Sequence, residues 1–193
     1  LETTSNLLTC CTYALAFHRE VQDRLRQEVK AITNVGVDYD SITTCQYLDA
    51  VISETLRIMS PIMMTDRSCD ADYHIEKYNI TVPKGLKVIL FLDDIMNDEE
   101  NWHEPAKFDP NRFMPDNRNN IVPGSYCPFG LGPRHCIGMR FSLTESKLAL
   151  AKLITNYEFT PAERTRFPPE ISRGPGFRQL KNPRVCIRRV PTA

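Results

Sequence analysis

The sequence predicts a mainly α fold with small β-sheets. Apolar residues recur at helical spacing in four segments, and short alternating or β-branched runs lie before and after the fourth segment. A long stretch with many prolines and little periodicity precedes that segment. Of the 193 residues, 41% are hydrophobic and 25% are charged, which is enough to bury one core and argues against a disordered chain.

Three helices are predicted in the first third of the chain. A helical pattern opens the sequence over residues 1–17. A second helix is predicted over residues 19–32, where charged residues lie opposite an apolar face formed by Val21, Leu25, Val29 and Ile32. A third helix is predicted over residues 46–59, and it ends at Ser60-Pro61 because the residue before a proline disfavours helical geometry.

The middle of the chain is predicted to form short strands and then an irregular segment. Residues 64–92 contain a hairpin through Glu76-Lys77-Tyr78-Asn79 and a β-rich run over residues 88–92. The proline-rich stretch over residues 101–133 is predicted to be an ordered, packed meander. This prediction rests on the aromatic side chains spread along it, Trp102, Phe108, Phe113 and Tyr126.

The last part of the chain is predicted to return to a helix and to end in strands. The helix is predicted over residues 137–157, with buried candidates Phe141, Leu148, Ala151 and Ile154. Weak alternation over residues 184–190 predicts a final strand pair.

Charge and cysteine content narrow the class of protein. The 24 basic and 24 acidic residues cancel, so no global field attracts nucleic acid, and we expect no nucleic-acid partner. The seven cysteines are an odd number without a C-x-x-C pair, which favours a reducing compartment over a disulfide or zinc framework. No apolar run reaches the roughly 20 residues that span a bilayer. Because the chain opens inside a helical pattern without Met, we expect a piece of a longer protein.

Cys136 lies in a loop over residues 128–138, PFGLGPRHCIG, which is rich in glycine and proline. The N–H groups of the following helix and the charge of Arg134 favour a thiolate there, which is able to act as a nucleophile or as a metal ligand. The glycines let a broad, flat group approach the backbone. A nucleophile needs a positioned base, and the side chain of the adjacent His135 is expected to diverge. For an isolated cysteine, a buried structural role is the more common one.

Residues 129–138, FGLGPRHCIG, resemble the haem-binding signature F-x-x-G-x-R-x-C-x-G of the cytochrome P450 monooxygenases at every fixed position. The resemblance implies that Cys136 is the proximal thiolate ligand of the iron of haem b. It further implies that Phe129 packs beside the sulfur and that Arg134 pairs with a haem propionate. Arg67 matches a second family position that contacts a propionate.

Two further segments carry the resemblance. Glu54-Thr55-Leu56-Arg57 is similar to the family's E-x-x-R motif, and residues 108–113, with Arg112, are similar to its P-E-R-F segment. The resemblance implies a hydrogen-bonded triad of Glu54, Arg57 and Arg112 that fixes the meander. Taken alone, Glu54 and Arg57 would be an ordinary surface pair. Asn111 replaces the family's usual glutamate, and residues 96–99 (MNDE) depart from its H-R-D-P pattern.

The first residues, Leu1-Glu2-Thr3-Thr4, resemble the end of the family's oxygen-activating motif A-G-x-[DE]-T-[TS]. An acid beside a hydroxyl is able to deliver the protons that dioxygen cleavage consumes. The resemblance assigns the hydroxyl role to Thr3 and proton delivery to Glu2, whereas helix capping is the ordinary alternative. By position in the family, substrate contacts are expected from residues 61–65 and 174–177.

The resemblance runs nearly end to end and is nearest to the animal microsomal drug-metabolising branch. It implies that residues 1–193 are the C-terminal, proximal part of a cytochrome P450 fold whose N-terminal part is absent. The expected reaction inserts one atom of O2 into a lipophilic substrate. Electrons would come from NADPH through NADPH-cytochrome P450 reductase at the endoplasmic reticulum membrane, on its cytoplasmic face, with anchoring through the missing N-terminal region.

Electrons are expected to enter at the face of Cys136, with Arg140 and Lys147 as candidate cations for docking the reductase. Two alternatives remain open. A haem-thiolate protein is able to isomerise or dehydrate a peroxide without a reductase, and a partial chain is able to persist as a non-catalytic interaction module. Because half of the haem pocket is expected to be missing, the isolated chain is expected to bind haem weakly and to be inactive.

Overall fold

A computed structural model describes residues 2–32, 39–172 and 177–191 and has the predicted mainly helical fold with small sheets. The helices that were predicted begin and end within two residues of the expected positions. Three short helices were not predicted, because each has six residues or fewer and shows too little periodicity. The helices are α1 Glu2–Phe17, α2 Arg19–Ile32, α3 Tyr39–Thr44, α4 Gln46–Ile58, α5 Leu92–Asn97, α6 Pro115–Arg118 and α7 Met139–Asn156.

The strands of the described residues form two-stranded antiparallel sheets. The pairs are β1 Met64–Ser68 with β4 Lys87–Phe91, β2 Tyr73–Ile75 with β3 Ile80–Val82, β5 Tyr157–Pro161 with β8 Val185–Arg189, and β6 Ile171–Ser172 with β7 Gln179–Leu180. The predicted hairpin is confirmed, and Asn79 closes it in the left-handed region at φ 51°. The predicted final strand pair is a single strand, β8, and its partner β5 follows the last helix directly.

Helices α1, α2, α4 and α7 pack around the main core. Its fully buried side chains include Leu7, Leu15, Leu25, Leu48, Ile52 and Leu150. Each such side chain contributes about 1.5–3 kcal/mol when it leaves water. On α2, Val21, Leu25 and Val29 are buried as predicted, whereas Ile32 is exposed at the end of the helix.

Helix α7 extends past this core at its N-terminal end. Ala151 and Ile154 are buried and Leu148 packs against the core, as predicted. The expectation that Phe141 is buried is wrong, because its side chain is 75% exposed. Phe141 lies in the first turn of α7, beyond the helices that cover the rest of the apolar face, and it borders a cavity instead.

The proline-rich meander is ordered and packed, as predicted. The ring centroids of Trp102 and Phe113 lie 5.9 Å apart, and those of Phe113 and Tyr126 lie 4.7 Å apart. Phe108 joins the main core beside His18, with ring centroids 4.8 Å apart. These contacts hold the meander against α4 and the core.

Among the residues that the structure describes, no helix is both long enough and apolar enough to cross a bilayer.

Candidate functional site

The loop before α7 holds Cys136 on a short backbone scaffold. Gly130 and Gly132 both have φ 75°, a conformation that side chains with a Cβ rarely adopt. After the second turn, the backbone N–H of Cys136 donates to the carbonyl of Phe129 over 2.8 Å. Gly138 immediately precedes α7, and a Cβ placed on it would lie 3.9 Å from the Cys136 sulfur. The thiol is therefore exposed and fixed by backbone geometry rather than by side-chain packing.

His135 does not offer the base that a cysteine nucleophile requires. Its Nδ1 lies 2.8 Å from the carbonyl oxygen of Gly132, to which it donates a hydrogen bond within its own loop. The imidazole is thus engaged with the backbone at that nitrogen. Of the two open roles for Cys136, this geometry favours ligand over nucleophile.

A cavity of about 570 Å³ lies against the loop. It brings together most of the candidate side chains, since Cys136, Phe129, Arg134, Arg67 and Thr3 all line it. Apolar side chains from α1, α4, α5 and α7 complete the lining, among them Leu7, Leu56, Leu92 and Phe141. The result is a largely apolar space with one thiol, two arginines and one carboxylate, that of Glu145, at its wall.

Glu2 is the one candidate that the structure does not place at this cavity. Its side chain is exposed, and its backbone carbonyl accepts a hydrogen bond from the Ser5 hydroxyl over 2.9 Å. Thr4, which the sequence reasoning did not single out, lines the cavity and is buried. The Thr4 hydroxyl lies 3.3 Å from the hydroxyl of Ser142 on α7. In the sequence, the pair of adjacent threonines was the one feature that pointed to Thr4 as well as to Thr3.

The two arginines at the cavity form no ion pair in the described part of the chain, although Arg67, after the larger effect of Lys87, helps to lower the pKa of Asp66. Arg67 donates to the Asp66 carbonyl over 2.7 Å and to the Thr65 hydroxyl over 3.0 Å. Neither Arg67 nor Arg134 forms an ion pair with a described carboxylate. A flat macrocycle with a metal centre and carboxylates fits these residues, because they supply a thiol, a glycine-lined approach and two arginines that form no ion pair among the described residues. The site therefore fits haem.

Glu54 and Arg57 form a fully buried ion pair on α4. Arg57 Nε and Nη2 donate to the two carboxylate oxygens over 2.7 Å and 2.9 Å. Arg57 also donates to the Met96 carbonyl over 3.0 Å and to the Pro105 carbonyl over 2.7 Å. Burial raises the pKa of Glu54, and the hydrogen bonds and charge of Arg57 oppose that rise. The pair therefore ties α4 to the meander, and a surface pair is excluded.

Arg112 completes the predicted triad only in part. Its Nε lies 3.4 Å from Glu54 Oε1, within ion-pair distance, but forms no hydrogen bond among the described residues. Glu54 Oε1 instead accepts the backbone N–H of Asp109 over 2.9 Å, while Arg112 Nη2 donates to the Glu104 carbonyl over 2.9 Å. The expectation that Arg112 is hydrogen-bonded to the pair is therefore wrong, and its contact is electrostatic.

The departures from the family pattern leave this network intact. Arg57 contacts residue 96 through the Met96 backbone carbonyl, which does not depend on the side chain. Asn111 accepts a hydrogen bond from Arg24 over 2.8 Å and donates to Asp109 over 2.8 Å. Asn111 thus links α2 to the meander with a neutral side chain.

The two candidate cations for a docking surface differ in environment. Arg140 is exposed on the first turn of α7 and forms no ion pair within residues 2–32, 39–172 and 177–191. Lys147 is only 15% exposed and pairs with Asp49 over 2.7 Å. The expectation that Lys147 is free to dock a partner is therefore wrong, since its charge is used to join α7 to α4.

Of the two segments expected to contact substrate, the first borders the cavity. Pro61, Ile62 and Thr65 line it, whereas Met63 and Met64 do not. Phe177 is 51% exposed and forms an antiparallel bridge with Ile62. The remainder of the second segment, residues 174–176, lies outside the described residues.

The family model for cytochrome P450 matches residues 1–187 of this chain. A match of that extent shows that the chain belongs to the cytochrome P450 family.

Within that family the chain is similar to mammalian proteins of the 3A group. Cytochrome P450 3A16 of Mus musculus is 41% identical over 174 residues, which cover 89% of this chain and 34% of the relative. Cytochrome P450 3A29 of Sus scrofa is 38% identical over 192 residues, covering 98% of this chain and 37% of the relative. Cytochrome P450 3A19 of Capra hircus aegagrus is 40% identical over 172 residues, which cover 88% of this chain and 78% of the relative.

These similarities confirm the expected likeness to the animal microsomal branch. The chain spans about a third of the length of the mouse and pig relatives, at 34% and 37%.

Proposed function

We propose that this chain is the C-terminal, proximal part of a haem-dependent monooxygenase. Its reaction inserts one atom of O2 into a C–H or C=C bond of a lipophilic substrate. The observation that carries the proposal is the exposed Cys136 thiol at the wall of a cavity that also holds two arginines without an ion pair among the described residues. The likeness to the 3A group supports the same reaction class.

The cysteine loop supplies the ligand. The backbone around Gly130 and Gly132 presents the Cys136 sulfur at the wall of the cavity. When bound, haem supplies the activation of dioxygen, and a thiolate ligand favours O–O cleavage. Phe129 is assigned to pack beside the sulfur when haem is bound, and its carbonyl accepts the Cys136 N–H. Arg134 and Arg67 orient the group by pairing with its carboxylates.

Proton delivery is assigned to the start of α1. The Thr3 hydroxyl lies at the cavity and donates a proton there, and the exposed Glu2 carboxyl replenishes it from solvent. Thr4 holds α1 against α7 through its contact with Ser142. The overall reaction consumes the substrate, O2, NADPH and a proton, and it yields the hydroxylated product, water and NADP+.

The reaction class is tested on the full-length protein that contains this chain. The protein is combined with NADPH-cytochrome P450 reductase and phospholipid, and ethylbenzene is supplied under oxygen-18 gas. We expect 1-phenylethanol that carries one labelled oxygen and that forms only with NADPH. Product without label, or product that forms equally without NADPH, would contradict a monooxygenase and favour a reductase-independent haem-thiolate reaction. By this proposal the isolated chain gives no product, because part of the cavity wall is missing.

The reductase is proposed to dock at the face of the cysteine loop, beside Arg140. An exposed cation without a partner attracts an acidic surface, and salt screens such attraction. Arg140→Glu is therefore expected to slow reductase-driven turnover severalfold at low salt and less at high salt. Steady-state rates across a salt series provide the measurement.

Lys152→Glu is the matched control, since Lys152 is exposed on the same helix about 18 Å farther along. Equal effects of the two substitutions, or a salt response of Arg140→Glu equal to that of the wild type, would rule out this docking site.

The protein is proposed to act at the endoplasmic reticulum membrane, on its cytoplasmic face. Its similarity to the 3A group supports that location.

A further inference from the structure

Arg178 joins distant segments of the chain at the edge of the cavity. Its side chain is only 4% exposed and pairs with Asp93 on α5. Its Nε donates to the Ser60 carbonyl over 3.2 Å, and its backbone N–H donates to the Pro61 carbonyl over 2.9 Å. Asn6 on α1 donates to the Arg178 carbonyl. We call this group, Arg178 with Asp93, Ser60, Pro61 and Asn6, the Arg178 clasp.

Each arm of the Arg178 clasp adjoins a residue at the cavity. Pro61 and its neighbour Ile62 line the cavity, and so does Leu92, which precedes Asp93. Phe177, which precedes Arg178, forms its bridge with Ile62. The backbone N–H of Asp93 also donates to the Met63 carbonyl over 3.1 Å.

The charge balance of the clasp depends on Asp93. Among the described carboxylates, Asp93 is the one that pairs with Arg178. The carbonyl oxygen of Ser60 is a neutral acceptor and does not compensate a buried charge. Removal of the carboxylate leaves a buried guanidinium uncompensated, which favours movement of Arg178 toward water. Arg178 is hydrogen-bonded to the carbonyls of residues 60–61, and Phe177 precedes it in the chain. Movement of Arg178 therefore displaces Ile62 and Phe177.

We infer that the Arg178–Asp93 ion pair is a positioning device that fixes Ile62 and Phe177 and so sets the size of the lipophilic ligand that the cavity accepts. The inference rests on the proposed function for the identity of the ligand. The contacts themselves belong to this chain and do not involve the cysteine loop. The ion pair should therefore affect bulky ligands without affecting the haem ligand or small ligands of the iron.

The test compares Asp93→Asn with the wild type in the full-length haem protein. Two probes are titrated by the Soret shift of nitrogen ligation: imidazole, which is small, and clotrimazole, an imidazole with a bulky triaryl substituent. Asp93→Asn is expected to raise the dissociation constant of clotrimazole about fivefold or more and that of imidazole less than about twofold. The matched control is Asp49→Asn, which breaks the ion pair with Lys147 between α4 and α7. Asp49→Asn should leave both constants within about twofold.

Any result in which the affinity for clotrimazole does not fall more than that for imidazole overturns the inference, and so does an equal effect of Asp49→Asn. Hydrogen exchange gives a readout that does not depend on haem. Asp93→Asn should increase exchange of the peptides that contain Ile62 and Arg178 about threefold or more, and Asp49→Asn should not. Unchanged exchange overturns the clasp. Failure of the wild type to show a thiolate-ligated haem would contradict the proposed function instead, and the exchange measurement would still decide the clasp.

Discussion

Glu54 and Arg57 are each completely shielded from solvent. Their ion pair is therefore expected to contribute strongly to the stability of the folded protein. Glu54→Gln leaves Arg57 without a compensating charge, so we expect the free energy of unfolding to fall by about 3–5 kcal/mol. Urea unfolding of the full-length protein measures this change.

The control for this prediction is Glu170→Gln, which breaks the exposed pair between Arg166 and Glu170. Exposed pairs contribute about 0–1 kcal/mol, so this variant should unfold close to the wild type. If both variants lose the same stability, the buried pair does not hold α4 to the meander as described.

Buried and exposed cysteines are expected to differ in the reactivity of their thiols. Burial raises the pKa of Cys10 and of Cys11 to about 12, so both thiols are protonated near neutral pH. Cys186 is exposed on β8. In the folded full-length protein, N-ethylmaleimide should modify Cys186 and should modify Cys10 and Cys11 only after unfolding. Mass spectrometry of the labelled peptides measures this, and labelling of Cys10 or Cys11 as fast as Cys186 would contradict their burial.

The cysteine loop is the element whose geometry matters most for the proposed ligand. Gly132 has φ 75° with open space around its missing Cβ, so Gly132→Ala introduces backbone strain without a clash. Gly85 has φ 82° with equally open space but lies in the turn before β4. Each substitution should cost about 1–2 kcal/mol of stability.

Only Gly132→Ala should also speed the loss of haem, because the strain falls on the segment that presents Cys136. Transfer of haem to an excess of apomyoglobin gives the rate of loss for each variant. If Gly85→Ala loses haem as fast as Gly132→Ala, the loop has no specific role in holding the group.

The sequence allowed some elements to be predicted better than others, for physical reasons. Helix α2 has the predicted bounds because its apolar and charged residues separate cleanly at the helical period. The pairing of β5 with β8 could not be predicted, since the two strands are joined through residues that carry no register signal. Phe141 was misassigned because periodicity marks the apolar face of α7 but not where the neighbouring helices end.

The same limit applies to the candidate site. Cys136, Phe129 and Arg134 lie within one short motif, and the local sequence was enough to bring them together at the cavity. The partner of Lys147 is Asp49, and that of Arg178 is Asp93; both pairs join elements far apart in the chain. Sequence spacing contains no information on such contacts, so Lys147 was wrongly expected to be free and the Arg178 clasp was not predicted.

At the scale of the whole molecule, apolar surface surrounds the candidate site. Leu131, Ile137 and Phe141 are exposed around the cysteine loop, with Ile137 and Phe141 at 104% and 75%. Contact of such exposed apolar side chains with an apolar partner is more favourable than their contact with water. We propose that bound haem and the remainder of the full-length protein cover this surface.

The central claim is that Cys136 is the haem ligand of this protein. The most direct test is the Soret absorption of the full-length protein after reduction with dithionite and addition of carbon monoxide, for the wild type, Cys136→Ser and the exposed-cysteine control Cys186→Ser. The account predicts the red-shifted band of a thiolate-ligated haem in the wild type and in Cys186→Ser, and its loss in Cys136→Ser. Persistence of that band in Cys136→Ser would contradict the account.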